Sequence, residues 1–331
     1  MLWIIVIAVT VAWAGWWWIA TKTLQDSVAG WRSARQAEGW QADIGTSTRG
    51  GFPLRIALTL EDLSLADPQT AVALIVPELT LSSPVYWPGH GTVDMPSGPV
   101  ILSTPSDALT LDTDGAVAAF RLRPGTALQL EKMTAQTDAL TLDLPDGRLA
   151  DLSLLEAEVQ QTQDPAAYDI RVDVVDLAPG ALLREALRLP QAWPSAFETF
   201  GADMTVLFDR PWDRTALDVR RPQPRAITLR RAEVRWADIG LVLSADLTVS
   251  DRGIVSGTIT VEASNWQAML DIAESGSVIG AEQRPQIENG LRMLAGLSGG
   301  ANTLELDIAV RDGRMQMGFI PLGTAPRLIL P

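Results

Sequence analysis

The chain offers one histidine, His90, and no cysteine for nucleophilic or metal chemistry. His90 sits in Trp87-Pro-Gly-His-Gly91, among turn formers. No G-x-S-x-G frames a serine for it to activate, so it reads as a surface-loop histidine. Without cysteine there are no disulfides, no thiolate zinc sites and no cysteine nucleophile. Neither a P-loop nor G-x-G-x-x-G is present. The nearest metal pattern is Thr110-Leu-Asp112-Thr-Asp114-Gly115. Aligned on its glycine, a calcium loop would want an acid at Thr110 and a glutamate at Arg121, and both fail. The segment reads as a turn. The 40 acidic residues could supply a glycosidase-like pair, but spacing along a chain does not bring two carboxylates to a fixed distance in space. The expectation is a protein that is not an enzyme and uses no metal or organic cofactor.

One charged pattern stands out. Arg220, Arg221, Arg225, Arg230, Arg231 and Arg235 crowd together, with Glu233 the single acid among them, in a chain of net charge −14. They could contact an anion, such as a lipid headgroup or phosphate. They could equally pair with acids across neighbouring strands, and the abundance of Asp and Glu favours this second reading. The acidic balance as a whole argues against nucleic-acid binding, which begins with phosphate neutralisation.

The elements that would position such residues begin with an apolar helix. Leu2 to Ala20 contains no charged side chain, and its polar residue is Thr10. Its helical length of about 28 Å approaches the roughly 30 Å of a bilayer's hydrocarbon. Trp13, Trp16, Trp17 and Trp18 gather at one end, where a membrane interface holds indoles. Ala12-Trp13-Ala14 formally fits a signal-peptidase site. The absence of a basic leader, and the three tryptophans that cleavage would expose, favour an uncleaved anchor. Lys22 to Gly39 reads as a helical extension, with Leu24, Val28, Trp31 and Arg35 on one face.

Period-two writing follows. In TRGGFPLRIALTL, Leu54, Ile56, Leu58 and Leu60 share one face after Gly50, Gly51, Phe52 and Pro53. The glycines permit a bulge or close approach, Phe52 is placed to plug the core's end, and Pro53 to open the strand. The same alternation recurs at Leu140–Leu144, Ile170–Val174, Leu241–Val249, Ile259–Ala263, Leu304–Val310 and Met315–Phe319. Asp114-Gly115, Asp146-Gly147, Arg252-Gly253 and Asp312-Gly313 read as hairpin turns. Three short helices are expected: 181–189; one through Trp266, Met269, Leu270 and Ala273, capped by Ser264 or Asn265; and one opened by Pro285, with Ile287, Leu291 and Leu294 on one face and Gly296 and the Ser-Gly-Gly after it as stop. A strand-strand-helix rhythm runs once before Pro190 and once after Pro222, with Arg221–Arg225 as boundary.

The span, the helix, GGFPLR and the C-terminal DGRMQMGFIPLGTAPRL together resemble an uncharacterised proteobacterial envelope family, the domain of unknown function numbered 2125. The matching residues are Gly51, Phe52, Pro53 and Arg55, then Gly313, Arg314, Gly318, Pro321, Leu322 and Gly323. A more distant resemblance is to AsmA-like proteins, which are inner-membrane-anchored, periplasmic, built of long curved sheets, and in several cases linked to lipid movement or outer-membrane upkeep. The resemblance implies the periplasmic side for residues 22–331. It overrules Lys22, Arg32 and Arg35, which the positive-inside rule would keep in the cytoplasm. It implies no catalytic residue.

The expectation is therefore a β-dominated α+β protein: curved, mostly antiparallel sheet with short amphipathic helices in its hollow, behind one transmembrane helix. Its parts are the anchor (1–21), a helical extension (22–39) and two strand-rich halves (40–220 and 221–331). It would be a single-pass inner-membrane protein facing the periplasm, binding or moving lipid or another hydrophobic ligand. The rival reading is an envelope scaffold acting through protein partners. The two differ in whether the apolar sheet face is filled by the protein itself.

Overall fold

The computed structural model of the chain describes residues 2–87, 89–96, 98–189, 193–218, 220–277, 279–297, 302–318 and 320–330. Pro190, Phe319 of the Met315–Phe319 alternation, and the Ser-Gly-Gly at 298–300 lie outside them. The protein is β-dominated, and the strand pairings among the described residues are antiparallel. It opens on one unbroken helix, α1 (Leu2–Ala37), in which span and extension are continuous. Gly39, at φ +92°, follows its end.

The chain divides into two compact units. The first comprises residues 1–124 and 135–146. Its strands are β1 (Gln41–Asp43), β2 (Thr46–Gly50), β3 (Arg55–Asp67), β4 (Val72–Pro84), β5 (His90–Met95), β6 (Gly98–Ser103), β7 (Ala108–Thr113) and β8 (Ala116–Leu122). β9 (Leu130–Thr137) is shared, and β10 (Leu140–Leu144) returns to the first unit. β3 is flanked by β1 and β2 on one edge and β4 on the other. β4 then forks: its C-terminal part pairs with β5 and onward to β8, its N-terminal part with β6, β7 and β10. Asp114-Gly115 is therefore not a hairpin turn. β7 has β6 on one edge and β10 on the other, so the dipeptide carries the chain to a different branch.

The part of α1 beyond the apolar stretch lies against β1–β3, with Leu58 and Leu60 buried beneath it. Two polar contacts fix the helix there: Gln25 Nε2 to Ser47 Oγ at 3.2 Å, and Gln36 Nε2 to the Ala42 carbonyl at 2.8 Å. Asp62 adopts φ +53°, after which the odd-numbered Leu63 becomes the buried residue. The simple alternation read from Leu54 onward thus holds only from Ile56 to Leu60.

The second unit comprises residues 125–134 and 147–331. It contains β11 (Gly147–Leu152), β12 (Leu154–Gln161), β13 (Ala167–Val175), β14 (Ala178–Pro179), α2 (Ala181–Ala186), β15 (Thr199–Phe208), α3 (Thr215–Asp218), β16 (Pro224–Trp236), β17 (Ile239–Val249), β18 (Val255–Ser264), α4 (Trp266–Ser275), α5 (Arg284–Leu297), β19 (Thr303–Arg311), β20 (Arg314–Met317) and β21 (Ile320–Thr324). Strands β12, β13 and β15 to β21 pair in chain order. Arg221–Arg225 leads into β16 inside this unit.

α4 and α5 match their apolar stripes, whereas the helix expected over 181–189 is shorter, α2 ending at Ala186 with none of its residues buried. α4 and α5 bury Trp266, Leu270 and Ala295 against Ala263 and Leu304, with Met269, Ile287, Leu291 and Leu294 packed around them. Pro285 occupies the first turn of α5, where its missing N–H leaves no helix bond unmade. Asn265 is the N-cap of α4, but through its backbone: it is left-handed, makes no side-chain cap bond, and its N–H donates to the Asn302 carbonyl at 2.8 Å.

Candidate functional site: a half-covered apolar sheet face

Strand register in the second unit puts apolar residues opposite one another in continuous rows. One middle row runs Val159, Ile170, Met204, Leu229, Ala245, Ile259, Ile308, Met317. The next runs Ala157, Val172, Ala202, Ala232, Leu243, Val261, Leu306. Flanking rows are equally apolar: Tyr168, Val206, Ile227, Leu247 and Val310 on one side, Leu155, Val174, Phe200, Val234, Leu241, Ala263 and Leu304 on the other. Period-two geometry sends the intervening residues, among them Glu158, Asp173, Asp203, Asp246, Glu262 and Asp307, to the opposite face.

The protein covers parts of the flanking rows itself. At one end Tyr168 is buried, its ring meets Phe208 edge-on, Phe208 meets Trp212, and its hydroxyl accepts the Trp212 N–H at 3.0 Å. At the other, Trp193, Phe197 and Trp236 stack over Phe200 and Val234's end of the sheet, while α4 and α5 cover Ala263 and Leu304. Along the two middle rows the residues are half-buried apart from buried Ala245, and Leu306 packs against the α4–α5 core; in the flanking rows Tyr168, Val206, Val310, Ala263 and Leu304 are buried, Phe200 is exposed and the others are half-buried. From β12 to β19 the middle rows cross seven strands, about 29 Å at the usual spacing of about 4.8 Å. That is close to the thickness of a bilayer's hydrocarbon, which holds two acyl chains end to end. This face can shelter an acyl chain without a polar group pointing into it. A separate hollow of about 320 Å³ is lined by Trp193, Ile239 and Ala268 among others. Among the described residues no group of three or more His, Asp or Glu is placed to hold a metal ion.

The arginine cluster lies on or beside the polar face of the same sheet and is heavily ion-paired. Arg230 sits at a register shift between β15 and β16 and reaches Asp203 and Asp169. Arg231 and Arg235 both hold Glu233, at 2.6 Å each. Arg220 and Arg225 share Asp209, and Arg225 also meets Asp251 at 2.7 Å. Arg221 is exposed. These pairs engage five of the six arginines with the protein's own acids.

The hydrogen bond and charge of Arg230, opposed by partial desolvation, hold the Asp203 carboxyl below its ordinary value of 3.8. A depressed folded-state pKa stabilises fully above the unfolded value, because there the group is ionised in both states and the ionised form is held more favourably in the folded one. The contribution is lost as pH falls from about 4 through the folded-state value. Asp203→Asn is therefore expected to lower the thermal midpoint at neutral pH. The gap from the native protein should close as pH drops below 3.8, and an unchanged gap would show that Asp203 does not titrate with folding.

The GGFPLR residues form the turn from β2 to β3. Gly51, at φ +90°, leaves no room for a side chain: a Cβ there would come within 2.7 Å of the Arg55 carbonyl oxygen. The Phe52–Pro53 peptide is cis. Phe52 does not plug the core. It is exposed and meets Trp17 of α1 edge-on, with ring centroids 5.3 Å apart. Pro53 lies in the turn, two residues before β3 begins. Arg55 reaches across the strands to Ser82 Oγ at 2.6 Å and Thr92 Oγ1 at 3.1 Å. At the other end of the chain Gly313 closes the turn from β19 to β20, Gly318 the turn to β21, and Pro321 sits on β21 opposite Gln316. His90 starts β5 and stacks on Trp87, centroids 4.3 Å apart.

Reading the sequence alone found the strands of the apolar face but not its rows, which need the register. No curated protein and no solved structure matches the chain. A family match does cover residues 16–326, from the tryptophan cluster to beyond the last strand, and by it the chain belongs to DUF2125, a family of uncharacterised proteins conserved in bacteria.

Proposed function

We propose that the protein is a single-pass membrane protein of the bacterial envelope, held in the inner membrane by α1 with its sheets in the periplasm, and that its second unit binds the acyl chain of a membrane lipid. The observation that carries this is the pair of middle rows: apolar from β12 to β19, half-buried apart from buried Ala245, with Leu306 at one end packed against the helices. A soluble sheet with one apolar face must cover that face. A lipid chain supplies the cover, and each methylene buried gains about 0.8 kcal/mol. The apolar helix supports the choice of occupant, since it would keep the protein where such lipids are. The distant AsmA-like resemblance points to the same ligand class. Native mass spectrometry of the full chain, released from mild detergent, tests the reading. A reproducible adduct of phospholipid mass, lost on unfolding, is expected. A bare mass that stays bare after incubation with phospholipid vesicles would overturn it in favour of a scaffold working through protein partners.

A further inference from the structure

At the end of the first unit nearest the apolar helix, two loops carry large exposed apolar side chains. Phe52 and Leu54, in the turn before β3, are 55% and 62% exposed. Tyr86 and Trp87, in the loop after β4, are 70% and 46% exposed. The loops touch: the Val85 N–H donates to the Leu54 carbonyl at 3.0 Å. They also lie beside the apolar stretch of α1, not beyond it. Trp13 and Trp17 donate their indole N–H groups to the carbonyls of Pro53, at 2.8 Å, and Arg55, at 2.6 Å. Trp13 precedes the end of the apolar stretch at Ala20 by seven residues, about 10 Å along a helix.

We infer that Phe52, Leu54, Tyr86 and Trp87 form a second membrane contact, seating the first unit in the interface of an anionic bilayer around the anchor. This rests on the reading of α1 as a membrane helix, and it goes beyond it: a plain anchor would leave the body free in water. Two further observations support the bilayer as occupant. The first is the backbone. Irregular chain at membrane depth is tolerated only when its polar groups are satisfied inside the protein. In the turn, the Gly51 carbonyl accepts from Arg55 N–H, Pro53 from Trp13, Leu54 from Val85 and Arg55 from Trp17.

The second is charge. The segments that build this end, 46–58, 82–93 and 117–124, contain Arg49, Arg55, Arg121 and Arg123 and no carboxylate, in a chain with 40 acids. His90 pairs with Arg121 across β5 and β8, and the Leu122 N–H donates to the Gly89 carbonyl at 2.8 Å, so the third segment ends beside the second loop. A basic rim around an aromatic and aliphatic tip is the pattern of an interfacial contact, and the acids at its margin, Asp94 and Glu61, accept hydrogen bonds from Thr92 and Thr46. Its apolar tip enters the boundary by roughly 5–10 Å while the basic residues meet anionic headgroups.

The absence of native cysteine makes the test direct. Spin labels are placed one at a time on the full chain as Leu54→Cys, Tyr86→Cys, Gln69→Cys and Val9→Cys, in vesicles of phosphatidylcholine with phosphatidylglycerol. Gln69 lies in the turn after β3, about 40 Å along that strand from Leu54. Collision rates with oxygen and with a water-soluble nickel chelate report depth. Oxygen should dominate several-fold at 9, 54 and 86, and the chelate at 69. Chelate dominance at 54 and 86 with lipid exposure kept at 9 would overturn the second contact and leave the anchor standing. Chelate dominance at position 9 as well would overturn both. Moving the 54 and 86 labels to pure phosphatidylcholine should shift both towards water. Equal depth in the two vesicle types would overturn the role given to the arginines.

Discussion

Carboxylates introduced together as Val172→Glu and Leu243→Glu are expected to cut the phospholipid that co-purifies with the protein by about tenfold or more. Both side chains lie in the same middle row, on β13 and β17, and both are half-buried. Without lipid the new carboxylates remain wet, so the fold is expected to survive. With a chain laid along the row they would be desolvated against hydrocarbon with no partner, at a cost of several kcal/mol. About 1.4 kcal/mol already corresponds to tenfold in affinity. Ser244→Glu changes the opposite face, among Asp246, Glu262 and Asp307, and is expected to leave lipid content unchanged. Phosphate analysis of the purified variants measures the effect. A folded Val172→Glu/Leu243→Glu protein with native lipid content would show that the middle rows are not where lipid lies.

The largest effect on stability is expected at Gly257. This residue sits within β18, between Leu247 of β17 and Val310 of β19, at φ +145°. A Cβ would meet the Asp246 carbonyl oxygen at 2.0 Å and the Leu247 Cα at 2.9 Å. Both are backbone atoms, so the clash can be relieved only by moving the ladder on which the apolar rows depend. Backbone strain of this kind costs on the order of 1–3 kcal/mol before the displacement is counted. Gly257→Ala is expected to lower the thermal midpoint by about 6–12 °C, taking about 3 kcal/mol and 2–4 °C per kcal/mol for a unit of this size. Gly290→Ala on α5 is the contrast. Its Cβ meets nothing within 4 Å, so it should gain roughly 0.5–1 kcal/mol of helix propensity. A Gly257→Ala protein melting with the native one would contradict the close packing of β17 on β18.

Much of this architecture is legible in the chain, for identifiable reasons. A helix without charges from Leu2 to Ala20 and an amphipathic stripe through Trp266, Leu270, Ile287 and Leu291 are local patterns, and both are present. Alternation at Ile170–Val174, Leu241–Val249 and Leu304–Val310 is local too. What is not local is register. Only pairing shows that Val172, Leu243 and Val261 stand in one row, or that Arg230 reaches two acids on β13 and β15. Single left-handed residues escape pattern reading as well: Asp62 flips the face of β3, and the tight turn at Gly51 takes Leu54 out of the strand that its spacing promised. The separate units depend on β10 pairing back onto β7, about thirty residues earlier, a contact with no compositional signature. The basic end around Phe52 and Trp87 is missed for a different reason. Its arginines lie in three segments that are distant in sequence, whereas the cluster at 220–235 is contiguous and conspicuous but satisfied by its own acids.

The account turns on an acyl chain lying along the middle rows of the second unit. Its most direct test is photo-crosslinking of the full-length protein in membranes with a phospholipid carrying a photoreactive group midway along its chain, followed by peptide mass spectrometry. Adducts should map to Ile170, Val172, Met204, Leu243, Val261 and their neighbours, besides those on the apolar helix. Adducts on the helix and the 51–54 and 85–87 loops, with none on strands β13 to β18, would contradict it.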